Sequence, residues 1–243
     1  MVCAIFWYNS HIMEISISLD PSSNKDLPEY LKFLNAVENI SIHCDVMDGS
    51  FVPRKAITRD QYQYVCKKSK HKIDVHLMIE KVAENLGFYL SNCCRGSIRS
   101  ICFHTEAITY PMDKSHSVDS PPISPKAISL VEEIRVHGIE GGIAIDLDTD
   151  LDDIDPNLLF MCDVITVMSV KAGASGQSFN KSALAKVRRL KKSYPNARII
   201  LDGGINMDNI QEVKRTGVDI AVVGNAVYSS EGRLSTIKIL QNV

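Results

Sequence analysis

No apolar run in this chain approaches the roughly 18 residues that a membrane-spanning helix needs, so a helical membrane anchor is not expected. Positive charge is not in excess either. Lys and Arg number 27 against 29 Asp and Glu, a net charge of −2, and the basic footprint of a nucleic-acid partner is missing. The seven cysteines form no CxxC pair, and adjacent Cys93 and Cys94 suit neither a zinc knuckle nor an easy disulfide. An odd number of scattered thiols reads as reduced core filler in a cytoplasmic protein. No basic stretch precedes the short apolar run from Val2 to Tyr8, so a secretory leader is not indicated. Residues 1–12 are expected to be an extension outside the core, with Met13 as an alternative start and residues 13–243 as the folded unit.

What remains is the composition of an ordinary globular protein, 45% hydrophobic and 23% charged, with room in 243 residues for two small domains or one large barrel. Strand and helix patterns alternate. Strand-like stretches run over Glu14–Leu19, Ile40–Met47, Lys72–Ile79, Ser97–His104, Gly142–Leu147, Asp163–Val170, Arg198–Asp202 and Val218–Val223. Helical spacing fills the intervals, including 27–37, 58–68, 82–91, 128–137, a short acidic helix over 150–158, then 182–193, 207–216 and 234–241. Only the Pro- and Ser-rich stretch from Tyr110 to Pro125 breaks the rhythm, and it reads as a surface excursion because the alternation resumes after it. Eight such units predict a closed (β/α)8 barrel of the TIM type. A doubly wound open sheet is the alternative, but the turn Asp20-Pro21-Ser22-Ser23 lacks the glycines that its first strand normally meets.

Three strand ends carry polar residues that are costly to bury without a partner. On the second strand His43, Asp45 and Met47 share a face, because side chains alternate. On the third, Asp74, His76 and Met78 do the same. The seventh ends Leu201-Asp202-Gly203-Gly204. Taken singly, a strand histidine is usually a hydrogen-bonded core residue, and Asp48-Gly49 is a turn. Taken together, two histidines and two carboxylates at the mouth of a barrel form a possible divalent-metal site, its N/O donors suiting zinc, iron, manganese or cobalt. Glycine-rich loops follow strands six, seven and eight (Gly173 to Gly176, Gly203-Gly204, Gly224-Asn225), where barrels often hold phosphate.

The run from His43 to Pro53 (HCDVMDGSFVP) resembles the ribulose-phosphate 3-epimerase family. So do Asp74–Met78 (DVHLM), Val167–Phe179 and Leu201–Ile205, in the same order, and the likeness extends from about Met13 to Val243. The resemblance implies that His43, Asp45, His76 and Asp202 bind one divalent ion, zinc first among the choices, with no organic cofactor. It implies that Asp45 and Asp202 are the acid/base pair. Ser18, His76, Met47, Met78 and Met168 would face substrate, and Gly173, Ala174, Ser175, Gly176, Gly203, Gly204, Gly224 and Asn225 would hold the phosphate end. The expected reaction inverts C3 of D-ribulose 5-phosphate through an enediolate, and a homo-oligomer is usual in the family. Ile17 stands on the first strand where the family has proline, and the other departures fall in the loops: Ala172-Gly173-Ala174-Ser175-Gly176 replaces Pro-Gly-Phe-Gly-Gly, Lys171 stands where Asn or Glu is common, and Asp146 to Thr149 is more acidic. They keep a hexulose 6-phosphate such as D-allulose 6-phosphate open as substrate. A non-catalytic phosphate-binding barrel is the remaining reading, and the Asp-x-Lys-x-x-Asp pattern of related decarboxylases is not found.

Overall fold

A computed structural model describes residues 12–20, 25–91, 96–108, 124–173 and 176–243. The extension through residue 11, the turn at 21–24, Cys93-Cys94, most of the 110–125 excursion, and Ala174-Ser175 lie outside the described residues.

Eight parallel strands form the barrel: β1 (Glu14–Ser18), β2 (Ile40–Asp48), β3 (Ile73–Met78), β4 (Ile98–His104), β5 (Glu140–Ile145), β6 (Val164–Met168), β7 (Arg198–Asp202) and β8 (Ile220–Val223). Ile15 of β1 pairs with Ile40 of β2 on one side and Ala221 of β8 on the other, which closes the ring. Helices α1 (Leu27–Leu34), α2 (Arg59–Lys68), α3 (Val82–Ser91), α4 (Ser124–Val136), α5 (Pro156–Met161), α6 (Ser182–Ser193), α7 (Ile210–Lys214), α8 (Asn225–Tyr228) and α9 (Arg233–Gln241) accompany them. The main core lies between strands and helices, where Ile17, Val75, Phe103, Ile143, Val167 and Leu201 are fully or almost fully buried. Parallel strands covered on both faces need this near-continuous apolar character.

Differences from the expected elements have local causes. The acidic helix over 150–158 is two pieces, a 3₁₀ turn at Leu151–Asp153 and then α5. Pro156 lacks an N–H and is tolerated only in the first turn, and Asp155 caps that turn by accepting from Asn157 N at 2.8 Å. The helix expected over 207–216 is confined to Ile210–Lys214. A two-residue antiparallel strand, Lys55–Ala56, pairs with Met47 and Asp48 and folds the loop after β2 back on itself. Asp48 does cap that turn, accepting from Ser50 N and Phe51 N, and its other oxygen accepts from Glu80 N.

The N-terminal end of the barrel is plugged by charge. Arg99 binds Glu14 at 2.8 and 2.9 Å and donates to both Asp74 oxygens and to Ser41. Asp74 shares a strand face with His76, yet its carboxylate is committed to this lower network. The interior layer above holds Cys102, Ala144, Val164, Ile200, Ile220 and Val222. Gly142 of β5 has no room for a side chain there, since a Cβ would lie 1.7 Å from the Val164 carbonyl oxygen. Gly142→Ala must therefore push β5 and β6 apart, and is expected to cost about 3 kcal/mol or more, at the upper end of overpacking. Thermal unfolding checks this; an unchanged Tm would contradict the close approach.

Candidate active site

β2 and β3 run side by side in register, Asp45 opposite His76 and Met47 opposite Met78. β7 stands across the mouth, with Asp202 its last residue. The three strands bring one donor atom from each of His43, Asp45, His76 and Asp202 within 4.8 Å of one another. His43 Nε2 lies 3.3 Å from Asp45 Oδ1 and 3.4 Å from Asp202 Oδ2. His76 Nδ1 lies 3.2 Å and 3.4 Å from the same two atoms. Donors held about 2.0–2.1 Å from a tetrahedral ion stand about 3.3–3.4 Å apart, so these four separations suit a common centre. His43 Nε2 is buried and makes no good hydrogen bond to either neighbouring carboxylate, an orphaned polar atom that a cation would satisfy. The arrangement can therefore hold one divalent ion among two imidazoles and two carboxylates.

Electrostatics bind the four groups to each other. Burial alone would drive the imidazoles toward neutrality. The negative charges of Asp45 and Asp202 outweigh it for His43, and the two carboxylates' hydrogen bonds and charges do so for His76, so both rings titrate above their ordinary value. Burial likewise opposes the carboxylate charges, but His43 and His76 hold Asp45 far below its usual range. Asp202 is lowered in the same way, chiefly by His43 against the repulsion of Asp45.

Above the four groups opens a cavity of about 420 Å³. Ser18, Asp45, Met47, Met78, Met168 and Asp202 line its floor and walls, and Gly173, Gly176, Gly203, Gly204, Gly224 and Asn225 line its far side. His43 and His76 sit beneath the floor, 1% and 0% exposed, and do not line it. Of the residues expected at the site, only Ala174 and Ser175 lie outside the described set. Ser18 Oγ donates to Asp45 Oδ2 at 2.7 Å, which orients the carboxylate from β1. Gly203 has a φ of +115°, and a Cβ there would lie 2.4 Å from a Val170 methyl, so only glycine lets the β7 loop pass the β6 loop. Ser169 Oγ holds the two loop roots together, donating toward the Asp202 and Gly203 carbonyls at 2.9 and 2.6 Å.

Three features were not foreseen from sequence. Arg54 forms an ion pair with buried Asp20 at 2.5 Å, joining the loops after β1 and β2 at the rim. Lys171 is the one cation among the described lining residues, facing a cavity that also exposes Asp20, Asp45, Asp202 and Asp208. His104 and Glu106, at the end of β4, reach the site from behind: His104 Nε2 lies 3.0 Å from His76 Nε2. A histidine at a strand end with an acid two residues on, Phe103-His104-Thr105-Glu106, was the available signal.

The sequence matches the model of the ribulose-phosphate 3 epimerase family over residues 14–228. The chain belongs to this family, and with it to the epimerases of the isomerase class. Among curated relatives, the ribulose-phosphate 3-epimerase of Mycobacterium leprae is 30% identical over 207 residues, 82% of each chain. That of Helicobacter pylori is 30% identical over 223 residues, 88% of this chain and 93% of the relative. Of solved structures, the tryptophan synthase A-subunit from Pyrococcus furiosus has a TM-score of 0.66 at 13% identity, covering 96% of this chain and 98% of that one. The 3-hexulose-6-phosphate synthase of Salmonella typhimurium gives 0.62 at 15%, covering 95% and 97%. At such identities these two likenesses speak for the barrel alone. Among the described residues, no helix is long and apolar enough to cross a membrane.

Because His43 and His76 hold protons above the ordinary imidazole value, a cation entering the site must displace them. Zinc affinity of the metal-free protein is therefore expected to rise as pH is raised above about 6.5, with protons released to buffer. Calorimetric titration in two buffers of different ionisation enthalpy measures this; equal affinity at pH 6 and pH 8 would contradict the donor set.

Proposed function

We propose that residues 13–243 form one catalytic unit that inverts C3 of D-ribulose 5-phosphate to give D-xylulose 5-phosphate. His43, Asp45, His76 and Asp202 would hold one divalent ion, and the N₂O₂ donor set favours zinc. The observation that carries this reading is the pair of cavity-floor carboxylates, Asp45 from β2 and Asp202 from β7, converging on one pair of buried histidines.

Epimerisation next to a ketone removes a carbon-bound proton and returns one to the opposite face. When bound, the cation supplies Lewis-acid stabilisation of the negative charge that develops on the substrate oxygens. Asp45 and Asp202 move the protons: one takes the carbon-bound proton at its carboxylate, the other enters the cycle as the carboxylic acid and gives its proton to the opposite face, and the roles are exchanged in the reverse direction. Ser18 fixes Asp45 by occupying Oδ2, so the β2 carboxylate keeps one orientation through the cycle. Met47, Met78 and Met168 exclude water and carry no competing proton. The loops after β6, β7 and β8 receive the phosphate through backbone N–H groups, and Lys171 offers the counter-charge that the carboxylate-rich cavity otherwise lacks. Binding energy from that remote end positions C3 between the two acids.

Incubation of the zinc-loaded protein with D-ribulose 5-phosphate in D₂O should place deuterium at C3 and yield xylulose 5-phosphate by NMR. Asp45→Asn and Asp202→Asn should each lower kcat by about 10²–10⁴-fold, the worth of a general acid or base. Absence of exchange in the wild type would sink the ribulose assignment, and the same experiment with D-allulose 6-phosphate would then show whether the substrate is a hexulose phosphate or the barrel is inert.

Lys171→Glu should raise KM for the sugar phosphate about tenfold or more with kcat little changed, since lost uniform binding appears in KM. Steady-state kinetics decide it, and an unchanged KM would remove Lys171 from phosphate recognition.

A further inference from the structure

The mechanism above leaves one buried titratable pair unused. His104 ends β4, is fully buried, and meets His76 end to end: the Nε2 atoms are 3.0 Å apart, the ring centroids 5.0 Å apart, and the planes 26° from parallel. Its other nitrogen, Nδ1, lies 3.0 Å from Glu106 Oε2. Glu106 is itself held. Its Oε1 accepts from Asp146 N at 3.0 Å and from the Thr149 hydroxyl. The loop that supplies those donors is fixed in turn by Lys186 Nζ, which donates to the carbonyls of Asp146, Leu147 and Thr149. Phe51 lies against the His104 ring, with centroids 4.9 Å apart.

We propose that His104 and Glu106 are positioning residues that select the tautomer of His76 able to bind the cation through Nδ1. Hydrogen-bond polarity carries the argument. An ionised Glu106 only accepts, so His104 must carry its proton on Nδ1. His104 Nε2 is then a lone pair and can only accept. His76 must therefore donate from Nε2, so the proton that its Nδ1 shares with Asp45 and Asp202 in the metal-free site is the one a cation displaces, and the Nδ1 lone pair is left to the cation. The opposite tautomer, with a proton on His76 Nδ1, would make His104 donate from Nε2 and set its Nδ1 lone pair against the Glu106 carboxylate. The relay penalises that metal-blocking state. Metal-binding histidines generally have their second nitrogen fixed by a carboxylate, a backbone carbonyl or a water, and here an imidazole backed by a carboxylate takes that place. The inference rests on the metal reading given under Proposed function.

The test compares zinc affinity, by competition with a chromophoric chelator, in the wild type, Glu106→Gln, Glu106→Asp and His104→Phe. A glutamine amide can donate to His104 Nδ1 and so turn the whole relay around. Glu106→Gln and His104→Phe should therefore weaken zinc binding by about 10- to 100-fold, the usual effect of losing an outer-shell partner. Glu106→Asp, which keeps the charge, should stay closer to wild type than Glu106→Gln does. A folded Glu106→Gln protein, shown by an unchanged Tm without metal, that binds zinc as tightly as wild type would overturn the proposal. A second measurement stands even if the variants fail to fold. In the zinc-loaded wild type with ¹⁵N-labelled histidine, NMR should show the proton on Nε2 of His76 and on Nδ1 of His104, and the reverse arrangement would refute the relay. Wild-type protein that binds no zinc would defeat the metal reading itself, a result distinct from either outcome for the variants.

Discussion

Two carboxylates at the floor of the barrel mouth and two imidazoles beneath it are each nearly or wholly withdrawn from water. Isolated buried charges cost several kcal/mol apiece, and only close opposite charge offsets that cost. The histidines answer the carboxylates, yet His43 Nε2 still lacks a satisfactory hydrogen bond. A single cation at the common centre would satisfy His43, relieve the repulsion between Asp45 and Asp202, and let both imidazoles be neutral. Much of the surrounding structure can be understood as holding these four side chains in place against their own tendency to separate.

The barrel does this by dividing the labour among strands. β2 and β3 are locked in register, so the His-x-Asp pair of one strand and the histidine of the next cannot slip relative to each other. β1 supplies Ser18 to Asp45, β4 supplies His104 to His76, and β7 brings Asp202 from across the mouth. At the opposite end of the barrel, Arg99 bridges Asp74 and Glu14 in a separate network. The two ends are kept apart by an apolar interior layer, beside which Gly142 lets β5 and β6 come close. Loops after β6 and β7 are pinned at their roots by Ser169, while the cavity they border stays open to substrate.

What could be read without coordinates was whatever depends on short-range pattern. Apolar runs bounded by Gly, Pro, Asn and Asp marked the eight strands, and the period-two placement of His43 and Asp45 put both side chains on the inner face. The closed barrel followed from the count. Less legible was anything decided by register between distant strands. His104 meets His76 because the β3–β4 pairing shifts between Ile73 and Asp74, setting His76 opposite Cys102 and His104 two residues further along the same face of β4. No pattern within one segment encodes that. The Arg54–Asp20 pair likewise spans 34 residues and depends on where two loops happen to meet. Helix ends in the acidic stretch were missed because Pro156 and the Asp155 cap overrode a continuous charge pattern.

The most direct test of the account is X-ray absorption at the zinc edge of the loaded protein. Convergence of His43, Asp45, His76 and Asp202 on one ion predicts nitrogen and oxygen neighbours only, at about 2.0–2.2 Å, with the scattering signature of two imidazoles. A sulfur neighbour at about 2.3 Å would place the metal on a cysteine instead, and a shell with one imidazole or none would show that the two histidines do not share an ion.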